Sequence, residues 1–490
     1  MKLDQDLQSI QEVRNFLHEA KQAQKQLEKM SQAQIDAIVH SMAKAAEAEA
    51  ARLAEMAVEE TGFGKVEDKR IKNLFAAQHI YAAIKDMKTV GIIRRDEANR
   101  VWEVAQPMGI VAGIVPSTNP TSTTIFKALI AIKSRNAIIF SPHPSAAKCT
   151  QEAARIVREA AERAGAPQGL IHCITAPTLA ATQELMTHKL TDVILATGGI
   201  GMVKAAYSSG KPAFGVGPGN VPVYVHASAN LQRAARLIVQ SKTFDNGTIC
   251  ASEQAIVADQ SIKEILIAEL KKQGAYFLNQ QEKEKVAAII MEGQGLNPKI
   301  VGRSAQKLAE MAGIRIPAET KVLIAEEQHI GKEYPFSIEK LSPILAFYTV
   351  QNWQEGCDIS MKLLELGGLG HTLGIHCEDE SVIEAFGLEK PASRIVVNAG
   401  TTFGGIGLST GIFPSLTLGC GSFGNNITSD NIGPQHLLNI KRVAFGIREV
   451  GPDEGVREET RVEQASTAGS FPIRREEVLE IIKSVLAEMK

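Results

Sequence analysis

Between Gly109 and Val225 short apolar runs alternate with helical ones, and this alternation limits the possible folds more than any other feature of the chain. "GIVAGIVP" precedes "TSTTIFKALIAIKS", "NAIIFSP" precedes "SAAKCTQEAARIVREAAERAG", "LIHCIT" precedes "TLAATQELMTH", and "DVILATG" precedes "IGMVKAAYSSG"; "PAFGVG" and "VPVYV" follow. The apolar runs have strand length, and the runs between them are long enough to cross back over a sheet. The pattern therefore predicts βαβ units, that is, an α/β protein with a parallel sheet covered on both faces. Ligands of such sheets gather beyond the carboxyl ends of the strands. The loops "PSTNP", "SPHPS" and "TGGIG" fall at those ends.

A chain of 490 residues is too long for one core, since single cores stop growing near ~250 to 300 residues, so two large lobes are expected. The residues before the alternation, about 11 to 81, repeat apolar side chains every three or four positions and predict an alanine-rich helical lead-in. A second α/β stretch begins near Asn230 and runs to the glycine-rich "GGIGLSTGIFPSLTLGCGSFGNN". "RRDEANRVWEVAQP" reads as a polar hairpin. "HLLNIKRVAFG" reads as a lone late strand without a local partner, expected to pair at an edge with another subunit.

Charge is nearly balanced, 53 Lys and Arg against 55 Asp and Glu, which disfavours nucleic acid and anionic membrane surfaces as partners. The amino-terminal stretch lacks the apolar core of a secretory signal, and no apolar run approaches the ~20 residues of a membrane span. A soluble, cytoplasmic protein with small-molecule ligands is expected. Six cysteines occur without a Cys-x-x-Cys pair or His/Cys ligand spacing, so neither disulfides nor a metal site is expected.

Cys250 stands apart from Cys149, Cys173, Cys357 and Cys377, which lie in or at the ends of regular runs and read as small core residues. It follows "DNG", a turn able to aim both a thiol and its backbone N–H at a cleft. Cys420, between glycines, is open to either reading. A thiolate attacking a carbonyl needs donors where negative oxygen develops, and one backbone N–H with one carboxamide suffices. Asn119 ends the first sheet strand in a loop whose prolines restrict it; the same residue could serve only an Asx-turn.

"QPMGIVAGIVPSTNP", "GVGPGNVPVYV", "TFDNGTICASEQAIV" and "PSLTLGCGSFGNN" with "IGPQHLLNIK" together resemble the aldehyde dehydrogenase superfamily, specifically its acylating, coenzyme A-dependent branch. The similarity runs from the first helix to about Gly451. It implies a Rossmann-type cofactor domain (1–91 and 109–222), an α/β catalytic domain (223–429) and a β-hairpin/strand oligomerisation arm (92–108 and 430–451). It also implies that Cys250 is the nucleophile, that Asn119 and the Cys250 amide hold the oxyanion, and that Glu339 binds the ribose of NAD. Thr197, Gly198, Gly199 and Gly217 would line the pyrophosphate and nicotinamide region, with Pro116 and Ser117 along the same wall and His143 and Pro144 near the adenosine.

Two departures from the family pattern stand out. Hydrolytic members carry a water-activating glutamate in an "ELGGK" run, and the matching run here, "GVGPGN", has Gly215 at that place. Val203 in "TGGIGMV" replaces a glycine common in the family. General base catalysis commonly contributes ~10² to 10⁴ in rate, so without that base a thiol such as coenzyme A is the better acyl acceptor. The implied reaction is oxidation of a short aldehyde, propionaldehyde or acetaldehyde, to acyl-CoA by a homodimer or homotetramer. A hydrolytic dehydrogenase and an inactive scaffold are the alternatives. The absence of arginine from "SPHPSAAK" leaves no fork for a 2′-phosphate and favours NAD.

Residues 452–470 are nearly free of large apolar side chains and read as a disordered linker. In 471–490, Val478, Ile481, Ile482, Val485, Leu486 and Met489 fall on one helical stripe. Such a tethered amphipathic helix resembles the encapsulation peptides that bind shell proteins of bacterial microcompartments.

Overall fold

The computed structural model describes residues 4–293, 295–451 and 455–458. They divide into two units, one built on Met1–Ile93 and Val104–Lys441, the other on Arg94–Glu103 and Arg442–Lys490.

In the larger unit the helical lead-in begins with Gln5–Leu27, Gln32–Ala48 and Ala50–Thr61. The second helix starts at a capping box, in which Ser31 accepts from Gln34 N–H and the Gln34 side chain accepts in return from Ser31 N–H. Val13, Leu17, Ala20 and Leu27, spaced three, four or seven apart, form the buried stripe of the first helix. They join one core with a five-stranded sheet. Its strand order is Ile171–Cys173, Ala137–Pro142, Ile110–Val115, Val193–Thr197, Ala213–Val216, all parallel. Chain order reverses between Ile110–Val115 and Val193–Thr197, and the crevice beyond their carboxyl ends is where a doubly wound sheet takes a dinucleotide. The loops 116–119 and 198–199 leave from those ends.

A second parallel sheet of seven strands runs Ala275–Phe277, Val322–Glu326, Ile344–Val350, Glu253–Asp259, Val221–Val225, Gly370–His376, Ala392–Val397. Successive residues enter opposite cores: Val223 and Val225 lie in one apolar cluster and Tyr224 in the other, and Ile256 and Val257 divide likewise. Val221–Val225 belongs to this sheet, so the chain changes sheets within 217–220, slightly ahead of the expected boundary at 222.

The polar hairpin forms as Gly91–Asp96 and Val101–Pro107. The late strand, Leu438–Ala444, is not partnerless: it lies beside Val101–Pro107 in a three-stranded sheet. Trp102 meets Phe445 edge-on with ring centroids 5.0 Å apart, and Arg442 faces Glu103 at 3.8 Å. That partner is more than 300 residues away in sequence, beyond the reach of a local pattern. The disordered linker is corrected at its start, where Gly455–Glu458 pairs antiparallel with Arg448–Gly451. The rest of the linker and the amphipathic stripe lie outside the described residues. Among the described residues no helix is long and apolar enough to cross a membrane.

Tyr224 ties neighbouring strands of the larger sheet. Its hydroxyl donates to Asp259 Oδ1 at 2.6 Å, and its ring stacks on Phe386 with centroids 5.0 Å apart. Tyr224→Phe leaves a buried carboxylate oxygen short of a donor and should lower stability by about 1–3 kcal/mol in urea unfolding. Unchanged stability would contradict this account of the strand pair.

Candidate active site

The helix Leu231–Thr243 ends in a turn, Phe244–Gly247, in which Asp245 (φ 48°), Asn246 (φ 52°) and Gly247 (φ 74°) all take the left-handed conformation. Asp and Asn tolerate that conformation better than most residues, and here the side chains of both are hydrogen-bonded. Asp245 Oδ1 accepts from Lys65 N–H at 2.8 Å, and its Oδ2 accepts from Lys69 Nζ at 3.0 Å, from Lys72 Nζ and from Thr248 Oγ1 at 2.7 Å. Asn246 Nδ2 donates to Gly302 O at 2.8 Å. A Cβ at Gly64 would lie 1.8 Å from Asp245 Oδ1, so only glycine admits the carboxylate there. Three residues after this turn the chain presents Cys250.

On its other side Cys250 is met by the run carrying "GVGPGN". A Cβ at Gly219 would lie 2.2 Å from the Cys250 carbonyl oxygen, so glycine allows this backbone approach. Gly219 N–H donates to Glu339 Oε1 at 2.8 Å. Asn119 precedes the helix Pro120–Lys133, and its Nδ2 points to Thr248 O at 3.4 Å, two residues before the cysteine.

A cleft of ≈ 510 Å³ gathers Cys250, Asn119, Glu339, Pro116, Ser117, His143, Thr197, Gly198, Gly199 and Gly217. Pro144 lines an adjoining hollow of ≈ 260 Å³, which shares Pro116, His143 and Thr197–Gly199 with the cleft. The residues expected from the sequence to serve catalysis and cofactor binding thus fall in this cleft and its adjoining hollow at the strand ends. Gly199 and Gly217 leave it open, since a Cβ at either would meet nothing within 4 Å. The helix Ile200–Tyr207 begins directly after Gly199, with its amino-terminal N–H groups at the groove.

Burial pushes the Cys250 thiol up to about 12, and the Glu339 carboxylate adds to the shift; Arg394 offsets part of it. The resting residue is therefore a thiol. Burial also raises Glu339, to about 7, against the stabilising Gly219 N–H and the charges of Lys242 and Lys340. Glu339 is the only carboxylate among the described residues lining the cleft. The Cys250 N–H is bonded to no other described residue.

The two departures from the family pattern meet in space. A Cβ at Gly215 would lie 2.8 Å from Val203 Cγ1 and 2.9 Å from Tyr207 Cε2. Tyr207 Oη accepts from Gly215 N–H at 3.0 Å and donates to Gly215 O at 3.3 Å. The place of a side chain at 215 is filled from the neighbouring helix, and Val203 accounts for part of that filling.

The sequence reading missed several neighbours of the site. Lys69 and Lys72 are buried beside Asp245 and reach the loop of Asn119. Arg394, buried, donates to His371 O at 2.8 Å and Gly419 O at 2.7 Å. Burial depresses His371 to about 3, so its imidazole is neutral, and its Nε2 has no partner. The lysines sat in a stretch that reads as an ordinary helix, and Arg394 and His371 lie in strands far along the chain.

Because only thiolate is alkylated, iodoacetamide should label the Cys250 peptide about tenfold faster per pH unit between pH 7 and 9. Glu339→Gln removes a negative charge that holds the thiol up, so its labelling at pH 8.5 should be faster than wild type. An equal or slower rate would refute the electrostatic coupling.

Residues 5–310 match the family model described as the aldehyde dehydrogenase family. The aldehyde-alcohol dehydrogenase of Clostridium acetobutylicum is 47% identical over 441 residues, covering 89% of this chain and 51% of that protein. This chain thus spans about half the length of the curated relatives it matches. A solved acetylating aldehyde dehydrogenase from Geobacillus thermoglucosidasius shares 73% identity with TM-score 0.91, covering 92% of this chain and 100% of that one. The propionaldehyde dehydrogenase of Rhodopseudomonas palustris, solved with bound CoA and an acylated cysteine, shares 28% identity with TM-score 0.79, covering 88% of this chain and 96% of that one. The chain belongs to the aldehyde dehydrogenase family.

Proposed function

We propose that this chain oxidises a short aliphatic aldehyde, propionaldehyde or acetaldehyde, to its acyl-CoA with NAD⁺ as electron acceptor. The observation that carries the reading is a cleft holding Cys250 and Asn119 whose one carboxylate, Glu339, is tied to Gly219 N–H. The position where hydrolytic relatives keep their base is packed with Val203 and Tyr207.

Cys250 Sγ adds to the aldehyde carbon as its proton is lost, giving a thiohemiacetal whose oxygen is held by Asn119 Nδ2 and the Cys250 N–H. A nicotinamide dinucleotide, when bound, supplies the hydride acceptor. The acyl group then rests on Cys250 as a thioester. Attack by the CoA thiol forms the new thioester and returns the cysteine. The open faces of Gly199 and Gly217, the helix start after Gly199 and the second oxygen of Glu339 fit a pyrophosphate and ribose. The groove near His143 and Ser145, whose side chains bond each other at 2.8 Å, offers no arginine to a 2′-phosphate, which supports NAD.

The same reading assigns residues 92–108 and 430–451 to self-association as a dimer or tetramer. Val443, Phe445 and Ile447 are exposed there beside an open sheet edge, which supports it. It also assigns the sequence stripe in 471–490 to binding microcompartment shell proteins. Deleting 471–490 should leave turnover unchanged and abolish co-purification with shell proteins; persistent co-purification would remove this part of the reading.

With propionaldehyde and NAD⁺, steady NADH formation should need CoA and fall about 10² to 10⁴-fold without it. Cys250→Ala should abolish it while the fold is kept. Undiminished turnover without CoA, with free acid as product, would establish the hydrolytic alternative instead.

A further inference from the structure

We propose that Lys72 is a positioning residue that locks the Asn119 carboxamide with its N–H toward the reacting carbonyl; this rests on the reading of Asn119 as an oxyanion donor. The helix Val66–Leu74 carries Lys69 and Lys72 three residues apart, hence on one face, and each is only 2% exposed. Lysine is seldom buried without a full set of acceptors and a counter-charge. Here two ammonium groups share the one carboxylate of Asp245.

The acceptors explain the placement. Lys72 Nζ has three donors, and they go to Asp245 Oδ2, to Thr248 Oγ1 at 2.9 Å and to Asn119 Oδ1 at 2.5 Å. Lys69 Nζ adds a bond to Thr118 O at 2.9 Å, fixing the residue before Asn119. With the ammonium on one side of the carboxamide, only its oxygen can face that way, because an N–H there would confront another N–H. The amide nitrogen is left with two long contacts, Thr118 Oγ1 at 3.2 Å and Thr248 O at 3.4 Å. Its hydrogens are therefore only weakly held, as those of a donor that must turn to a developing oxyanion should be. The cation also polarises the amide C=O, and charge-assisted donors bind anions more strongly. Without Lys72 the carboxamide can turn over and set its oxygen against the oxyanion.

The charges facing Lys72 are Asp245 from the turn, and Lys69 and Asp68 from its own helix, with the Phe244 ring 5.8 Å away. Burial brings the ammonium down to about 8; Lys69 adds to the shift, and Asp245 and Asp68 resist it. As pH rises through that value two donors remain for three acceptors, and the lock on Asn119 loosens.

The test uses the full chain and the single-turnover burst of NADH from propionaldehyde and NAD⁺ in Lys72→Met, Asn119→Ala and the double variant. Lys72→Met should slow the burst about 10- to 100-fold, the scale of a misplaced group, with little change in the aldehyde concentration that saturates it. Asn119→Ala should slow it about 10²- to 10³-fold, and the double variant should match Asn119→Ala alone. A wild-type burst in Lys72→Met, or losses that multiply in the double variant, would overturn the proposal; a wild-type burst in Asn119→Ala would instead remove the oxyanion reading beneath it. Should Lys72→Met not fold, the pH profiles decide. The wild-type burst should gain less from each pH unit above about 8 than below it, and Asn119→Ala, lacking the group to be held, should lose that break. A break that persists in Asn119→Ala would overturn the proposal.

Discussion

The buried carboxylate of Asp245 sits where three parts of the cleft's frame meet, and the position of the Cys250 thiol depends on it. It accepts from the start of the helix Val66–Leu74, from two lysines of that helix and from Thr248, while its own backbone N–H donates to Asp68 at 2.7 Å. Removing one partner of a buried ion pair commonly costs about 3–5 kcal/mol, because the other charge is left without compensation. Set against a typical domain stability of about 5–15 kcal/mol, that is a large share in one residue. The left-handed turn at Asp245 and Asn246 is held by these bonds, and Cys250 inherits its place from the turn.

The chemistry depends equally on what the groove leaves out. Gly215, Val203 and Tyr207 form one packed unit, so the missing base and the unusual valine are a single structural choice. A thioester in a site without a positioned base persists until a nucleophile arrives that needs little activation. Glu339 Oε1 accepts from the Gly219 N–H, which ties this carboxylate to the run carrying "GVGPGN".

Much of this could be read from residue order. Strand and helix alternate with a local period, so the five-stranded sheet and the loops at its strand ends were legible, and Cys250, Asn119 and Glu339 lay in recognisable runs that the fold brings to one cleft. What could not be read depends on contacts between distant segments. Leu438–Ala444 looked partnerless because its neighbour, Val101–Pro107, lies more than 300 residues earlier. Lys69 and Lys72 did not stand out within the helical lead-in because their acceptors, Asp245 and the 118–119 loop, come from elsewhere in the chain. Arg394 and His371 were hidden for the same reason: a buried polar residue is recognised by its partners, and its partners are not its sequence neighbours.

The central claim is that the acyl group passes through Cys250 and leaves on a thiol. It is tested most directly by peptide mass spectrometry of the protein after incubation with propionaldehyde and NAD⁺ and no CoA. One propionyl group on the peptide containing Cys250, removed when CoA is added and recovered as propionyl-CoA, is the predicted result. An unmodified Cys250 peptide, or an acyl group that CoA does not remove, would contradict the account.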